Sequence, residues 1–84
     1  MQVTLKLYAT LADYLPAAAR LEHAVRLDVP PETTIDELTA PFNLPAKLTH
    51  LVLVNGVYVP RERRGTHQLV EGDVVAIWPP IAGG

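Results

Sequence analysis

Eight prolines interrupt this chain of 84 residues and limit the length of every helix and strand that it can form. Proline has no amide hydrogen to donate, so it ends helices and is excluded from the middle of a sheet. The eight are Pro16, Pro30, Pro31, Pro41, Pro45, Pro60, Pro79 and Pro80. The regular elements are therefore predicted to be short and to end near these positions.

Five segments have the pattern of β-strands, most of them with apolar and polar residues in alternation. The segment 51–54 is instead apolar at every position, which is typical of a central strand covered on both faces. Asn55-Gly56 follows it directly and is the strongest two-residue signal for a hairpin. The predicted strands are residues 2–8, 23–29, 51–54, 57–59 and 74–78.

One helix is predicted in the middle of the chain, over residues 34–41. Its start carries a capping box, in which Thr34 at the cap and Glu37 three residues later exchange hydrogen bonds with the backbone. Its buried side is marked by apolar residues at helical spacing, which are Ile35, Leu38 and Phe42. A single helical turn is also predicted at 10–15, with Thr10 as its cap.

The order of these elements is strand, strand, helix, strand, strand, strand, which predicts one α+β domain. It is the element order of the ubiquitin-like β-grasp fold, a mixed sheet of about five strands packed on one short helix. The last strand is expected to close the sheet beside the first. Residues 1–78 are predicted to form this domain and residues 79–84 a flexible, extended C-terminal tail that ends in Gly-Gly.

Composition excludes several classes of function. Seven Lys and Arg against nine Asp and Glu give a net charge of −2, the opposite of what nucleic-acid binding requires. The absence of cysteine excludes disulfides, thiolate metal sites and a cysteine nucleophile. With no basic and apolar leader and no apolar run near 18 residues, we expect a cytoplasmic protein that does not contact membranes.

The side chains contain no catalytic constellation, so we expect a carrier or binding protein rather than an enzyme. The three histidines are too dispersed for metal ligation. Asp36 and Glu37 are explained by the first turn of the helix, where the helix dipole favours acidic residues. Arg61, Arg63 and Arg64 surround Glu62 and have two interpretations, a solvated loop or a docking surface for an acidic partner.

The C-terminal tail is the strongest candidate for the functional group. Six residues follow Trp78 and span about 20 Å when fully extended. Pro79 and Pro80 stiffen the base of the tail. Gly83 and Gly84 have no side chains, so a terminal carboxylate can enter a narrow channel. A Gly-Gly ending arises by chance in about 1 chain in 200.

Two stretches resemble the MoaD/ThiS family of ubiquitin-like sulfur carriers. Leu69, Gly72-Asp73 and Val75, followed by the ending Trp78-Pro79-Pro80-Ile81-Ala82-Gly83-Gly84, resemble the end of the small subunit of molybdopterin synthase. The segment Asn55-Gly56-Val57-Tyr58-Val59-Pro60-Arg61 resembles the thiazole sulfur carrier. The proline pair favours the molybdopterin branch.

The resemblance implies a mechanism in which the chain has no tightly bound cofactor of its own. An E1-like adenylyltransferase, using ATP and Mg²⁺, would activate the Gly84 carboxylate, and Gly83 would give access to it. A sulfur-donor protein would then displace AMP and leave a thiocarboxylate. That sulfur would be used by the large subunit of molybdopterin synthase, or by a thiazole synthase.

Partner contacts are expected at the tail and around its base. The predicted contact residues are Arg61, Trp78, Pro79, Pro80, Ile81 and Ala82. Trp78 is expected to point away from the core side of its strand, which Val75 and Ile77 occupy. It is interpreted either as an exposed aromatic anchor for a partner or as a side chain packed against the N-terminal strand.

Two further functions use the same fold differently. A ubiquitin-like modifier would be joined through Gly84 to lysines of other proteins, although this tail lacks the arginines that ubiquitin carries before its Gly-Gly. A non-catalytic interaction domain would not depend on its C-terminus at all.

Overall fold

The structure, a computed structural model, describes residues 1–81. In this range five strands form one mixed sheet in the order β2-β1-β5-β3-β4. The strands are β1 (Gln2–Leu7), β2 (Ala24–Asp28), β3 (Leu51–Val54), β4 (Val57–Tyr58) and β5 (Val74–Trp78). The same range contains one α-helix, α1 (Ile35–Thr39), and short 3-10 turns at Ala9–Tyr14, Ala17–Ala19, Ala40–Phe42, Ala46–Leu48 and Arg61–Arg63. The predicted α+β architecture is confirmed.

The last strand occupies the centre of the sheet. β5 runs parallel to β1, with Leu7 opposite Ile77, and antiparallel to β3, with Val52 opposite Ile77. β2 and β4 form the two edges, each as the antiparallel partner of its neighbour in sequence. The first and last strands are therefore neighbours in the sheet, as predicted.

The core lies between one face of the sheet and α1. Inward-facing side chains of the three central strands are almost completely buried, and Ile35 and Leu38 of α1 pack against them. The capping box is confirmed: the Glu37 amide donates to Thr34 Oγ1 at 3.2 Å, and the Thr34 amide donates to Glu37 Oε1 at 2.9 Å. The helix ends at Thr39, earlier than predicted, because Pro41 forces the next residues into a 3-10 turn.

Two local predictions are wrong. Thr10 is not a helix cap, because the 3-10 turn begins at Ala9 and its cap, Tyr8, makes no side-chain hydrogen bond. β3 is covered on one face only: Val52 is buried, whereas Leu51 and Leu53 are half-buried on the opposite face. The single short helix covers one side of the sheet, so the apolar residues of β3 on the other side remain accessible.

The Asn55-Gly56 hairpin is confirmed. Both residues have positive φ, 51° and 83°, as a type I′ turn requires. The Asn55 side chain also donates to Asp73 Oδ1 at 2.8 Å and accepts from the Val74 amide at 2.9 Å. These bonds fix the tip of the β3–β4 hairpin to the start of β5.

Candidate functional site

The base of the tail is held in the middle of the sheet. The Ile77 carbonyl accepts from the Tyr8 amide at 3.1 Å, and the Trp78 carbonyl accepts from the His50 amide at 3.2 Å. Pro79 and Pro80 follow and have no amide hydrogen, so ladder pairing ends here. The chain thus leaves the sheet between the end of β1 and the start of β3.

Trp78 is half-buried and stacked on Tyr8, the residue that follows β1. The two ring centroids are 4.4 Å apart with an interplanar angle of 3°, and Tyr8 in turn stacks on His23 at 5.8 Å. This is the packing against the N-terminal strand that the second interpretation of Trp78 predicted. The stack fixes Trp78, the residue after which the tail begins. The exposed part of the indole remains accessible to a partner.

A shallow apolar groove runs along the start of the tail. It has a volume of about 530 Å³ and is lined by His50, Leu51, Trp78, Pro79, Pro80 and Ile81. Ile81 itself is 83% exposed. The uncovered sheet face continues from this groove through Leu53 to Tyr58, which is its neighbour on β4 and also exposed. An apolar surface of this kind suits docking of another protein.

Arg64 differs from the other arginines of its loop because it is buried, with 5% of its surface exposed. Its guanidinium donates to the carbonyls of Val59, Thr49 and His50 at 3.3, 2.8 and 3.0 Å. Burial, together with the positive charge of Arg61, lowers the pKa of Arg64. The solvated-loop interpretation is wrong for Arg64, because its guanidinium is buried and bonds to two carbonyls before β3 and one after β4.

Arg61 and Arg63 remain exposed. Arg61 donates to the Ala46 carbonyl at 3.4 Å and to the Thr49 carbonyl at 3.0 Å. Arg61 and Arg64 therefore both hold the segment before His50, whose amide in turn holds the Trp78 carbonyl. The predicted contact residues Arg61, Trp78, Pro79, Pro80 and Ile81 thus lie at one end of the molecule. Ala82, Gly83 and Gly84 lie outside the described residues.

Among residues 1–81 no three His, Asp or Glu side chains are grouped so that they could hold a metal ion. Asp36 and Glu37 lie exposed in the first turn of α1. In the same range, no helix has the length and apolar character needed to cross a membrane.

Two residues at this end of the molecule, Tyr8 and His50, are not predicted from the sequence, and neither is the burial of Arg64. Tyr8 was detectable in principle, since it continues the outward-facing alternation of β1 and the sheet closure was predicted. Nothing in the sequence separates Arg64 from Arg61 and Arg63, because its burial depends on carbonyls from a distant segment.

Comparison with known proteins gives a family and a fold. The sequence model of the ThiS family matches residues 7–84. A search of curated protein sequences found no significant match.

Solved structures of small β-grasp proteins superpose on the whole chain. The crystal structure of SAMP1 from Haloferax volcanii has a TM-score of 0.69 and 26% identity, with both chains covered completely. The solution structure of the Haloferax volcanii HVO 2177 protein has a TM-score of 0.71 and 23% identity, covering 100% of this chain and 87% of that one. A chain in the complex of subunits 1 and 2 of molybdopterin-converting factor from Helicobacter pylori has a TM-score of 0.62 and 18% identity, with both fully covered. The predicted ubiquitin-like β-grasp fold is confirmed.

Proposed function

This chain belongs to the ThiS family, whose members are small ubiquitin-like sulfur carriers and modifiers, and we propose that it is a sulfur carrier that uses the carboxylate of Gly84. The observation that carries the proposal is the way in which the tail leaves the sheet. Its base is hydrogen-bonded to β1 and β3, Trp78 is stacked in place, and two prolines direct the chain outward. The domain supplies a fixed base, and the tail supplies the reactive end.

The chemistry requires activation by a partner, because a carboxylate is a poor electrophile. In the proposed first step a carboxylate oxygen of Gly84 attacks the α-phosphate of ATP, which is bound with Mg²⁺ by the E1-like adenylyltransferase, and pyrophosphate leaves. In the second step hydrosulfide released by a sulfur-donor protein attacks the acyl carbon, AMP leaves and the thiol proton is lost. The product is a thiocarboxylate, whose sulfur is anionic and nucleophilic near neutral pH.

The acceptor that we favour is the large subunit of a molybdopterin synthase. The Trp78-Pro79-Pro80 base resembles that branch of the family, and the fold is shared with a chain of the Helicobacter pylori molybdopterin-converting factor. A thiazole synthase is the alternative acceptor, supported by the ThiS family match and by the segment 55–61. Recovery of one or the other by co-purification with the tagged chain decides between them.

The docking surface that we propose for these partners is the apolar groove at the base of the tail together with Trp78. Both the activating enzyme and the acceptor must take up the tail, so both must approach the same end of the molecule. Apolar and aromatic side chains around a fixed base are suited to such repeated, reversible contact.

The direct test is mass spectrometry of the chain after co-expression with its adenylyltransferase and sulfur donor. We expect the mass change that corresponds to one oxygen replaced by sulfur, located at Gly84. A chain with one alanine added after Gly84 must remain unmodified, whereas the same alanine added before Met1 must not interfere. Two outcomes would contradict the proposal. No thiocarboxylate forms on the unaltered chain, or one forms on the chain that carries the added C-terminal alanine.

A second candidate function is protein modification through Gly84. It is supported by the similarity to SAMP1 from Haloferax volcanii, at 26% identity, and to a structure described as H. volcanii small archaeal modifier protein 1, at 23% identity. This function predicts covalent adducts that appear as a ladder on a denaturing gel and disappear when Gly84 is deleted. A non-catalytic interaction domain predicts instead that neither the added alanine nor the deletion changes partner binding.

A further inference from the structure

A second pocket lies on the helix side of the sheet, at the same end of the molecule as the base of the tail. It has a volume of about 300 Å³ and lies between α1, the segment 43–49 and the loop that follows β4. Its floor is apolar and combines the accessible side chains of Ala40, Leu44 and Ala46 with the almost completely buried Ile35, Val52 and Ile77.

Two positive charges line this pocket. Arg64 is buried, and three of the five donors of its guanidinium are bonded to carbonyls. Those carbonyls provide dipoles but no net negative charge. Among residues 1–81 the only ion pair joins the N-terminal amine to Asp28, so no carboxylate lies within 4.0 Å of Arg64. Buried charges in proteins are normally paired, so Arg64 is an unusual feature.

The other charged groups around the pocket define which ligand it would accept. Arg61 adds a second, exposed guanidinium. Asp36 lies on the α1 side and balances only one of the two positive charges. Thr39 and Asn43 provide the neutral polar part of the rim. The net charge of the lining is positive above an apolar floor, which suits an anionic group on a short aliphatic stem.

We propose that this pocket binds the side-chain carboxylate of a glutamate on a partner protein, with Arg61 and Arg64 as its cationic wall. The carboxylate would accept from the free donors of the two guanidiniums, and its methylene groups would lie on the apolar floor. A volume near 300 Å³ is at the lower limit for small-molecule sites and is sufficient for a single side chain.

The position of the pocket indicates which partner would supply the glutamate. Arg64 donates to the His50 carbonyl, and the His50 amide donates to the Trp78 carbonyl. His50 therefore connects Arg64 in the pocket wall to Trp78 at the base of the tail, so a protein that binds the tail would also contact the pocket. The identity of this partner rests on the function proposed above, whereas the preference of the pocket for a carboxylate does not.

The test is a titration of the full chain, labelled with ¹⁵N, with a capped tripeptide that has a central glutamate. We expect saturable shifts of the Thr49 and Arg64 amides and of the Arg64 Nε–H, with a Kd of roughly 1–10 mM. The matched peptide with a central glutamine should bind at least about tenfold more weakly, since it cannot form charge-assisted bonds.

Three variants separate the pocket from general electrostatics. Arg61→Gln should weaken binding about tenfold, and Arg63→Gln, a change of the same charge in the same loop but outside the pocket, should leave the Kd unchanged. Asp36→Asn should strengthen binding about two- to fivefold, because it removes the opposing charge. This variant removes none of the hydrogen bonds of the segment 43–49, so it tests the proposal even if Arg61→Gln loosens that segment.

Several results would overturn the proposal. They are the absence of saturable shifts, equal binding of the two peptides, or equal effects of Arg61→Gln and Arg63→Gln. Inorganic phosphate that binds as tightly as the glutamate peptide would make the pocket a site for a free anion. Tighter peptide binding by a chain shortened to residues 1–81 would identify the chain's own C-terminus as the occupant. None of these measurements requires activation of Gly84, so their failure is separable from failure of the sulfur-carrier function.

Discussion

Replacing Arg64 with methionine should destabilise the domain severely, although the residue lies in a loop that reads as solvent-exposed. Three hydrogen bonds from a charged donor, at about 1.5–3 kcal/mol each, would be lost. The methionine variant no longer has the free-energy cost of burying a charged guanidinium, and this offsets part of the loss. We expect a net loss of about 3 kcal/mol, out of a total stability of about 4–13 kcal/mol for 84 residues.

Urea denaturation, followed by the fluorescence of the single tryptophan, measures this loss. Trp78 is stacked on Tyr8 at the base of the tail, so its emission should report both global unfolding and loosening of that base. A loss of about 3 kcal/mol corresponds to a fall in melting temperature of roughly 12–24 °C for a domain of this size. Arg63→Met is the control, because Arg63 is exposed and its guanidinium bonds to no residue in 1–81.

The result that would refute this reasoning is a loss below about 1 kcal/mol for Arg64→Met, or one equal to that of Arg63→Met. Either outcome would mean that water replaces the guanidinium at the three carbonyls and that the burial of Arg64 has no energetic consequence. An unchanged slope of free energy against urea concentration is needed for the comparison, since it shows that the same surface unfolds in both variants.

Three other predictions concern the helix cap, the hairpin turn and the aromatic stack. Thr34→Ala removes the cap of α1 and should lower the free energy of unfolding by about 1 kcal/mol in urea denaturation; no measurable loss would mean that α1 is held by packing alone. Gly56→Ala should lower the free energy of unfolding by about 1 kcal/mol in the same measurement, because the φ of 83° is strained for alanine. An added Cβ contacts nothing within 4 Å, so no steric clash adds to this loss. A stabilised variant would contradict the I′ turn. Alanine substitutions of Tyr8 and Trp78, alone and together, should give a coupling energy of about 0.5–1.5 kcal/mol in urea denaturation followed by circular dichroism, since Trp78 is the single tryptophan; strictly additive effects would show that the stack is only a geometric contact.

Most of the fold could be predicted because its signals are local. The alternation in β1 and β2, the capping box of Thr34 and Glu37, and the Asn55-Gly56 turn each depend on residues close together in the sequence. The adjacency of the first and last strands was predicted from element order alone. The predicted end of α1 at residue 41 is two residues too late. Pro41 gives the last predicted turn 3-10 geometry, so the α-helix ends at Thr39.

The candidate site was only partly predictable, because it is built from distant contacts. The base of the tail, Trp78-Pro79-Pro80, is contiguous in sequence and is predicted directly. The stacking of Trp78 on Tyr8 requires parallel pairing of β1 with β5, and the burial of Arg64 requires carbonyls from the segment before β3. Apolar residues on both faces of β3 predict two covering layers, whereas the second face contributes to an accessible surface.

β5 is both the central strand of the sheet and the strand that directly precedes the tail, so the tail is synthesised immediately after the strand that completes the fold. β5 is the only strand that joins the β1–β2 pair to the β3–β4 pair in the described sheet. A nascent chain that lacks residues 74–78 can form two separate hairpins but no connected sheet, and a single hairpin is marginally stable in water. The ribosome therefore delivers the closing strand and the tail almost together. A product truncated before or within residues 74–78 lacks the strand that connects the sheet, so it cannot compete for partners as a folded decoy.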